Sequence, residues 1–287
     1  MNHAFLVICH QKPIVLQRAI TLLLSSNHYF FIHVDKKYKR IEDFDVLKHL
    51  QNVFILKKRL TVNWGGFSQV KATICLLKTA LAAEVRFDYL HLISGADFPC
   101  VSSKVFDAFF ENSNRSYLCY DLNNNTELCE YRINSFHFKD FVCKIPYTLF
   151  FRDKVEQLMN TYIKRKNVGQ LYKGANWFSI TSNVAQFILR FIKDNPEYYS
   201  RFKYTECCDE IFFHTMLYSY KDKLEIDTST NLRYIDWAPD RSTESLPLVL
   251  EEVDFDKIKK SGAVLCRKID PVKSRKLIYL LEKDIMQ

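Results

Sequence analysis

Polar side chains follow two apolar runs in the first third of the sequence, and their types are suited to ligand binding. The run Tyr29 to Val34 leads into Asp35, and the run Tyr89 to Ile93 leads into Ser94-Gly95-Ala96-Asp97. In an open parallel sheet, ligands bind at the carboxyl ends of the strands. If both runs are strands of one such sheet, the sequence predicts a single crevice that contains both carboxylates.

A carboxylate pair lies at positions 209 and 210, where an apolar stretch of helical spacing begins. Glu210 near a helix N-terminus is favoured by the helix dipole and is of the right type for a general base. The alternative is structural, because a carboxylate also satisfies the first turn of a helix. Asp209 is the adjacent candidate, and its place at the start of the helix fits a capping role better.

Several familiar ligand-binding patterns are missing from the sequence. There is no Gly-x-Gly-x-x-Gly, no glycine-rich phosphate loop followed by Lys and Ser or Thr, and no His-Glu-x-x-His. No Asp-x-Asp triplet ends a predicted strand, and Asp254-Phe255-Asp256 opens a late helix. Many sugar-nucleotide transferases hold a metal ion through such a triplet. An enzyme of that kind would here need side-chain cations instead, and the C-terminal Lys and Arg residues are candidates.

The elements that position these residues alternate between strand and helix over residues 1–120. This alternation predicts an α/β fold with a mostly parallel sheet flanked by helices on both faces. Residues 121–172 have no clear period and are interpreted as an insertion over one sheet face. Regular patterns resume over 173–287. With 287 residues, 48% of them hydrophobic, and neither an internal repeat nor a linker, the chain is predicted to be a single domain.

The predicted element bounds follow from apolar periodicity and turn residues. The clearest helix is 68–83, with Ser68 as its N-cap. Strands are predicted at 4–9, 29–34, 52–56, 89–93, 116–120, 174–180 and 233–236, and the other helices at 13–24, 43–50, 101–111, 183–194, 208–218 and 271–285.

The charge indicates which classes of partner the protein binds, and the cysteines indicate its cellular compartment. The formal net charge is +8, which suits an anionic partner such as nucleic acid, a phosphorylated small molecule or an acidic membrane. The aromatic residues fall inside apolar runs, which argues against nucleic acid. The nine cysteines form no Cys-x-x-Cys pair, and no signal peptide or membrane span is apparent. We expect reduced, buried thiols in a cytoplasmic protein.

Five motifs and the opening residues carry a family resemblance. The motifs are Trp64-Gly65-Gly66-Phe67-Ser68, Ser94-Gly95-Ala96-Asp97-Phe98-Pro99, Gly174-Ala175-Asn176-Trp177-Phe178, Asp209-Glu210-Ile211-Phe212-Phe213 and Cys266-Arg267-Lys268-Ile269-Asp270. In this order they resemble the core-2/I-branching β-1,6-N-acetylglucosaminyltransferase and xylosyltransferase family, glycosyltransferase family 14. The resemblance extends from residue 4 to residue 270 and is weakest over 121–172.

The resemblance implies a GT-A-like fold, a nucleotide-sugar donor, inversion at the anomeric carbon and no metal requirement. It makes Glu210 the base that takes the proton of the acceptor hydroxyl. Residues 1–120 become the nucleotide-binding half, and 173–287 become the acceptor and catalytic half. No cofactor is expected beyond the donor itself.

The resemblance also assigns the donor site. Lys268 and Arg267 match a basic pair that stabilises the leaving diphosphate, and Arg241 is a further phosphate-binding candidate. Asp35 and His10 are placed in the nucleotide pocket, although a histidine after a strand is as often structural. Asp97 is expected to bond the donor sugar or backbone amides. Trp64 either shapes the nucleotide pocket or packs in the core.

The acceptor site is assigned less completely. Trp237 matches an aromatic residue on which an acceptor sugar stacks, and Trp177 lies in a neighbouring motif. Xylosyltransferases carry an aspartate base at the position of Asn176. An amide cannot do that work, so this departure favours Glu210 as the base and GlcNAc as the sugar. Glu130 and Arg132 are candidates from the poorly aligned insertion.

These features predict an inverting, metal-independent transferase that moves GlcNAc from UDP-GlcNAc to a glycan or lipid-linked glycan. The alternatives are UDP-xylose or another UDP-hexose as donor, or a nucleotide-sugar-binding protein without catalysis. Animal members of the family are luminal and carry a membrane anchor and disulfides. The lack of both features favours a bacterial, cytoplasmic member. Its positive charge would also allow peripheral contact with an anionic membrane.

Overall fold

The computed structural model describes residues 1–111, 113–121, 126–141, 146–165, 168–238 and 246–287. A seven-stranded mixed sheet lies at its centre. In spatial order the strands are β3 (Val53–Ile55), β2 (His28–Val34), β1 (His3–Cys9), β4 (Tyr89–Ser94), β7 (Ser179–Thr181), β6 (Ser116–Tyr117) and β8 (Ile226–Asp227). Strands β3, β2, β1 and β4 run parallel, and β7 is antiparallel to both of its neighbours.

Helices cover both faces of this sheet, which explains why all seven residues of β1 are buried. On one face, α1 and α3 pack through residues such as Leu16 and Phe106. On the other face, α2, α6 and α8 pack through residues such as Leu76 and Phe212. The helices are α1 (Ile14–Leu23), α2 (Ser68–Leu81), α3 (Ser103–Glu111), α4 (Thr126–Asn134), α5 (Pro146–Tyr162), α6 (Ser182–Asp194), α7 (Pro196–Arg201), α8 (Asp209–Tyr218), α9 (Phe255–Lys260) and α10 (Arg275–Met286). The predicted α/β architecture is confirmed.

A second, three-stranded sheet joins distant parts of the chain. Its order is β5 (Phe98–Pro99), β10 (Leu265–Arg267) and β9 (Arg233–Ile235). Strand β10 is antiparallel to β5 and parallel to β9. A third apolar cluster packs this sheet against α10. Two segments that are far apart in sequence are thus fixed beside the Asp97 motif.

Two predictions about local structure are wrong. Residues 121–172 contain the helices α4 and α5, although no helical period was expected there. Ser68 is the first residue of α2 rather than its N-cap. The Ser68 hydroxyl instead accepts from the backbone N–H of Asn63 and donates to Asp140, whose carboxylate also accepts from the Ser68 N–H at 3.0 Å. A carboxylate from the insertion therefore caps α2.

Over the described part of the chain eight cysteines are free thiols; six of them are buried as predicted, and Cys75 and Cys119 are partly exposed. The ninth, Cys143, lies outside the described residues. Among the helices within the described ranges, none is long and apolar enough to cross a bilayer.

Candidate active site

The strand ends bring the predicted nucleotide-pocket residues to one edge of the large sheet. His10, Asp35 and Asp97 follow the carboxyl ends of β1, β2 and β4. The backbone N–H of Asp35 donates to the Cys9 carbonyl at 2.8 Å. The carboxyl ends of β1 and β2 are therefore directly adjacent. Asp35 and Asp97 therefore lie at the same edge of the sheet, as expected.

Asp35 is held rigidly at this edge. Its side chain is buried, and Oδ1 accepts from the backbone N–H groups of Lys37 at 2.9 Å and Val62 at 3.3 Å. The Lys37 ammonium lies 3.5 Å from the other carboxylate oxygen. The His10 ring is partly buried, and this loss of hydration lowers its pKa. The negative charge of Asp35 opposes the shift. The positive charge of Lys268 also acts on His10, so the C-terminal basic pair faces the same edge.

Arg267 lies between a carboxylate and an aromatic ring. Its guanidinium carbon is 4.1 Å from the centre of the Trp177 ring, and Nη1 is 3.9 Å from Asp97 Oδ2. Asp97 is itself buried and accepts from the Ser94 N–H at 2.8 Å. Within the described ranges, Nε and Nη1 of Arg267 and Oδ1 of Asp97 have no hydrogen-bond partner. Such buried, unpartnered donors are costly unless a ligand uses them.

A second buried cation, Arg233, was not predicted. It donates to the Ser179 hydroxyl at 3.0 Å and to the carbonyl groups of Leu92 and Phe178 at 3.1 and 2.8 Å. Burial lowers the pKa of Arg233 to about 10, against the opposing effect of the Asp97 charge. In the sequence, the only signal was an arginine at the start of a short apolar strand. Asp97 therefore lies in the field of two guanidinium groups.

Glu210 lies in the first turn of α8, as predicted, and it is held by two cations. Arg132 Nη1 donates to Glu210 Oε2 at 2.9 Å, and Lys173 Nζ is 3.9 Å from the same oxygen. The Glu210 side chain is 28% exposed. Arg132, which was predicted to bind the acceptor, thus contacts the candidate base instead. Lys173 was not predicted, although it directly precedes the Gly174 motif.

The adjacent Asp209 is almost completely buried. Loss of hydration and the nearby Glu210 charge raise the pKa of Asp209 to about 7. A carboxyl with this pKa is a chemically suitable base at neutral pH, but its burial leaves it less accessible to an acceptor than Glu210. Cys208 directly precedes α8, and its side chain does not cap the helix.

The segment 174–177 joins the two parts of the site. The Gly174 N–H donates to the Glu210 carbonyl at 3.0 Å, and three residues later Trp177 stacks on Arg267. Gly174 is required here, because a Cβ would lie 2.0 Å from the Cys119 carbonyl oxygen. Asn176 is buried, and its Oδ1 has no hydrogen-bond partner among the described residues.

The two exposed tryptophans flank the site. Trp64 is 78% exposed, so the core-packing alternative is wrong. Its loop is attached to the start of α8 by a 2.8 Å bond from the Cys207 N–H to the Gly65 carbonyl. Trp237 is 53% exposed and lies two residues after β9, the strand that runs parallel to β10.

One candidate is not brought into the site. Glu130 is exposed on α4, where Arg132 is the residue that reaches Glu210. Arg241 lies outside the described residues.

Comparison with known proteins agrees with the resemblance seen in the motifs. The family model described as Core-2/I-Branching enzyme matches residues 3–259. The chain belongs to this family. The predicted family membership is therefore confirmed, and the match includes Glu210 but ends before Arg267 and Lys268.

Named relatives of this family member include two kinds of transferase. Xylosyltransferase 2 of Mus musculus is 23% identical over 243 residues, which cover 82% of this chain and 26% of the relative. A Danio rerio protein, beta-1,3-galactosyl-O-glycosyl-glycoprotein beta-1,6-N-acetylglucosaminyltransferase 4, is 28% identical over 105 residues, or 35% of this chain and 24% of the relative. The chain thus spans about a quarter of the length of these relatives.

Among solved structures, the galactosyltransferase LgtC in complex with donor and acceptor sugar analogs has a TM-score of 0.44 and 11% identity, over 100% of this chain and 97% of that chain. Mouse xyloside xylosyltransferase 1 has a TM-score of 0.41 and 8% identity, over 92% of this chain and 96% of that chain. Similarity at this level carries no information about function.

Proposed function

We propose that this family member is an inverting glycosyltransferase that moves a sugar from a UDP-sugar to a glycan or lipid-linked glycan. The observation that carries the proposal is the short segment 174–177, which contacts Glu210 at one end and Arg267 at the other. Three residues span at most about 10 Å. The main chain that carries Glu210 and the largely buried Arg267 guanidinium are thus joined through one short segment, which supports a common donor site.

Glu210 is proposed as the general base. Inversion requires one group that takes the proton from the acceptor hydroxyl as its oxygen attacks the anomeric carbon. Both cations contact Oε2 of Glu210. Over the described residues, Oε1 makes no hydrogen bond or ion pair. Arg132 and Lys173 thus fix the orientation of the carboxylate and leave one oxygen available to the acceptor.

Arg267 and Lys268 are proposed to stabilise the departing UDP. The diphosphate gains negative charge as the bond to the sugar breaks, and fixed cations with free N–H groups stabilise that charge. Arg267 supplies a planar guanidinium whose Nε and Nη1 have no hydrogen-bond partner over the described ranges. Lys268 follows it at the end of β10 and acts electrostatically on His10.

The proposal includes independence from a divalent metal at this edge. Asp97 is the carboxylate placed to hold such an ion, and it lies close to Arg267 and within the field of Arg233. Two buried guanidinium groups repel a dication from this position. The same contacts support a role for Asp97 in orienting Arg267, rather than in binding metal.

UDP-GlcNAc is the donor we favour, with UDP-xylose as the alternative. The preference depends on Asn176, whose amide cannot act as the aspartate base implied for xylosyltransferases. The alternative is supported by the longer match to a xylosyltransferase. Asp35, His10 and Trp64 would bind the nucleotide, and Trp237 would stack on the acceptor sugar. Cytoplasmic location and contact with an anionic membrane stay predictions from composition and charge.

The test is UDP release from a panel of UDP-sugars, with wild type beside Glu210→Gln and Lys268→Ala, in excess EDTA and with added Mg²⁺ or Mn²⁺. Release that is selective for UDP-GlcNAc, persists in EDTA and is lost in both variants would support the proposal. Release that requires metal would refute the role of the cations. If UDP raises the Tm but no donor turns over with any glycan acceptor, the chain is a binding protein without catalysis.

A further inference from the structure

A second group of polar side chains lies at the opposite edge of the large sheet. His3 begins β1 and His28 begins β2, and Asp107 on α3 reaches them from the covering helix. His28 Nε2 is 2.6 Å and His3 Nε2 is 3.5 Å from Asp107 Oδ1. Both imidazole rings are fully buried, whereas 33% of the Asp107 side chain is exposed. The amino ends of the strands carry this group, so it is separate from the proposed catalytic edge.

Hydrogen bonds fix the orientation of the His28 ring. Its Nδ1 lies 2.6 Å from the Leu23 carbonyl oxygen, which can only accept, so Nδ1 carries a hydrogen. In the neutral ring, Nε2 then presents a lone pair to the Asp107 carboxylate at 2.6 Å. Two hydrogen-bond acceptors at this distance repel each other unless a positive charge lies between them or on one of them. A proton satisfies that requirement at 2.6 Å, and a metal ion satisfies it once Asp107 moves outward.

The His3 ring points to the metal ion. Its Nε2 is buried and has no hydrogen-bond partner over the described ranges. Nδ1 of His3 bonds to His91 Nε2 at 3.0 Å, and His91 Nδ1 bonds to the Ser179 hydroxyl at 2.9 Å. In this chain of hydrogen bonds, His3 and His91 can each donate from Nδ1. The Nε2 of His3 then carries an unshared lone pair.

We propose that His3 Nε2, His28 Nε2 and Asp107 Oδ1 bind one divalent transition-metal ion, with Zn²⁺ as the best match. Their ligand atoms lie within 4.8 Å of one another. Two imidazole nitrogens and one carboxylate form a common zinc ligand set, with metal–ligand distances of about 2.0–2.2 Å. The exposed Asp107 side chain gives access to solvent and leaves a fourth position for water. The shortest separation between ligand atoms is the 2.6 Å between His28 Nε2 and Asp107 Oδ1. A small outward movement of Asp107 would lengthen it.

The surroundings support the site in two further ways. Metal-bound histidines usually donate their other ring nitrogen to an outer group; His28 does so to the Leu23 carbonyl, and His3 can do so to His91. Asn27 Nδ2 donates to Asp107 Oδ2 at 3.1 Å and so orients the carboxylate. Phe106 packs edge-on against both rings, with ring centres 5.5 and 5.6 Å away, and shields the site from water. A bound ion would tie α3 to the amino ends of β1 and β2.

The experiment uses untagged protein that has been stripped with EDTA and dialysed, and then titrated with Co²⁺ and, separately, with Zn²⁺. We expect about one equivalent of metal, visible Co²⁺ d–d bands without thiolate charge-transfer bands, and a Tm increase of about 5–10 °C when Zn²⁺ is in 100-fold excess over its Kd. The variants Asp107→Asn and His28→Gln should lose the bands and the Tm increase. The control His49→Gln changes an exposed histidine and should behave as wild type.

Three results would overturn the proposal. Wild type without d–d bands or bound metal would show that a proton, not a metal, lies between His28 and Asp107. Thiolate bands would assign the metal to cysteines. Unchanged metal binding in a folded Asp107→Asn or His28→Gln protein would place the ion elsewhere. UDP release in the presence of EDTA reports on the other edge of the sheet, so failure of one proposal does not affect the other.

Discussion

Replacing Glu210 with glutamine removes the proton acceptor and keeps the shape of the side chain. General base catalysis contributes about 10²–10⁴ to a rate, and at about 1.4 kcal/mol per decade this raises the barrier by about 3–5 kcal/mol. The fold should change little. The Arg132–Glu210 pair is 18% and 28% exposed, and partly exposed pairs contribute about 0–1 kcal/mol. We therefore expect UDP release to fall at least about 100-fold and the Tm to change by no more than about 3 °C.

A matched control lies four residues upstream. Glu206 forms an ion pair with Lys139 at 2.7 Å, and 22% of its side chain is exposed. Glu206→Gln removes a similar ion pair outside the proposed site, so its UDP release should stay within about twofold of wild type. Initial rates, UDP affinity and Tm are measured for both variants. If folded Glu210→Gln retains a tenth or more of the wild-type rate, Glu210 is not the base, and the buried Asp209 is the next candidate.

Three further variants test other contacts. Arg267→Lys keeps the charge but loses the planar stack on Trp177, so we expect calorimetry to show about 10- to 100-fold weaker UDP binding; equal affinity would remove Arg267 from the donor site. Asp209 has a pKa of about 7 when folded against 3.8 when unfolded, so the folded state retains the proton and stability falls as pH rises through this range. Asp209→Asn should flatten that fall by up to about 3 kcal/mol between pH 5 and pH 8, measured by urea unfolding; an unchanged slope would contradict the raised pKa. Gly66→Ala places a Cβ 2.3 Å from Asp140 Oδ1 and should destabilise the fold by about 1–3 kcal/mol in the same assay, whereas a neutral effect would show that the carboxylate cap of α2 is dispensable.

The parallel strands were predictable because burial on both faces produces continuous apolar runs. In β1 every residue is buried, and in β2 only Tyr29 is partly exposed. The strand ends were equally visible, since Asp35 directly follows β2 and Asp97 lies three residues after β4. The position of Glu210 in the first turn of α8 also followed from local pattern, because a nearly continuous apolar run of helical length follows it.

Other features depend on contacts that no local pattern contains. The small sheet pairs Phe98 with Cys266 and Leu265 with Arg233, and such distant backbone pairing leaves no periodic signal. Helix α5 was missed because it exposes Phe150 and Phe151, at 59% and 70%, so that its apolar residues do not form a single stripe.

The charge pairs of the site were visible only in three dimensions. Arg132 is one of many basic residues in the sequence, and only the packing of α4 beside α8 brings it to Glu210. Arg233 was equally inconspicuous, because its burial depends on three acceptors from β4 and the segment around β7. Long side chains that act across elements cannot be assigned from spacing alone.

The middle position of β10 in the small sheet matters for the choice of fragment boundaries. A protein cut at residue 259, where the family match ends, would lack the strand that β5 and β9 share. It would also lose Arg267 and Lys268 and expose the apolar surface that Leu277 and Leu281 of α10 cover. Such a fragment would retain Glu210 and most of the recognisable motifs. We expect it to be poorly soluble and inactive, so a deletion series in this region should extend through α10.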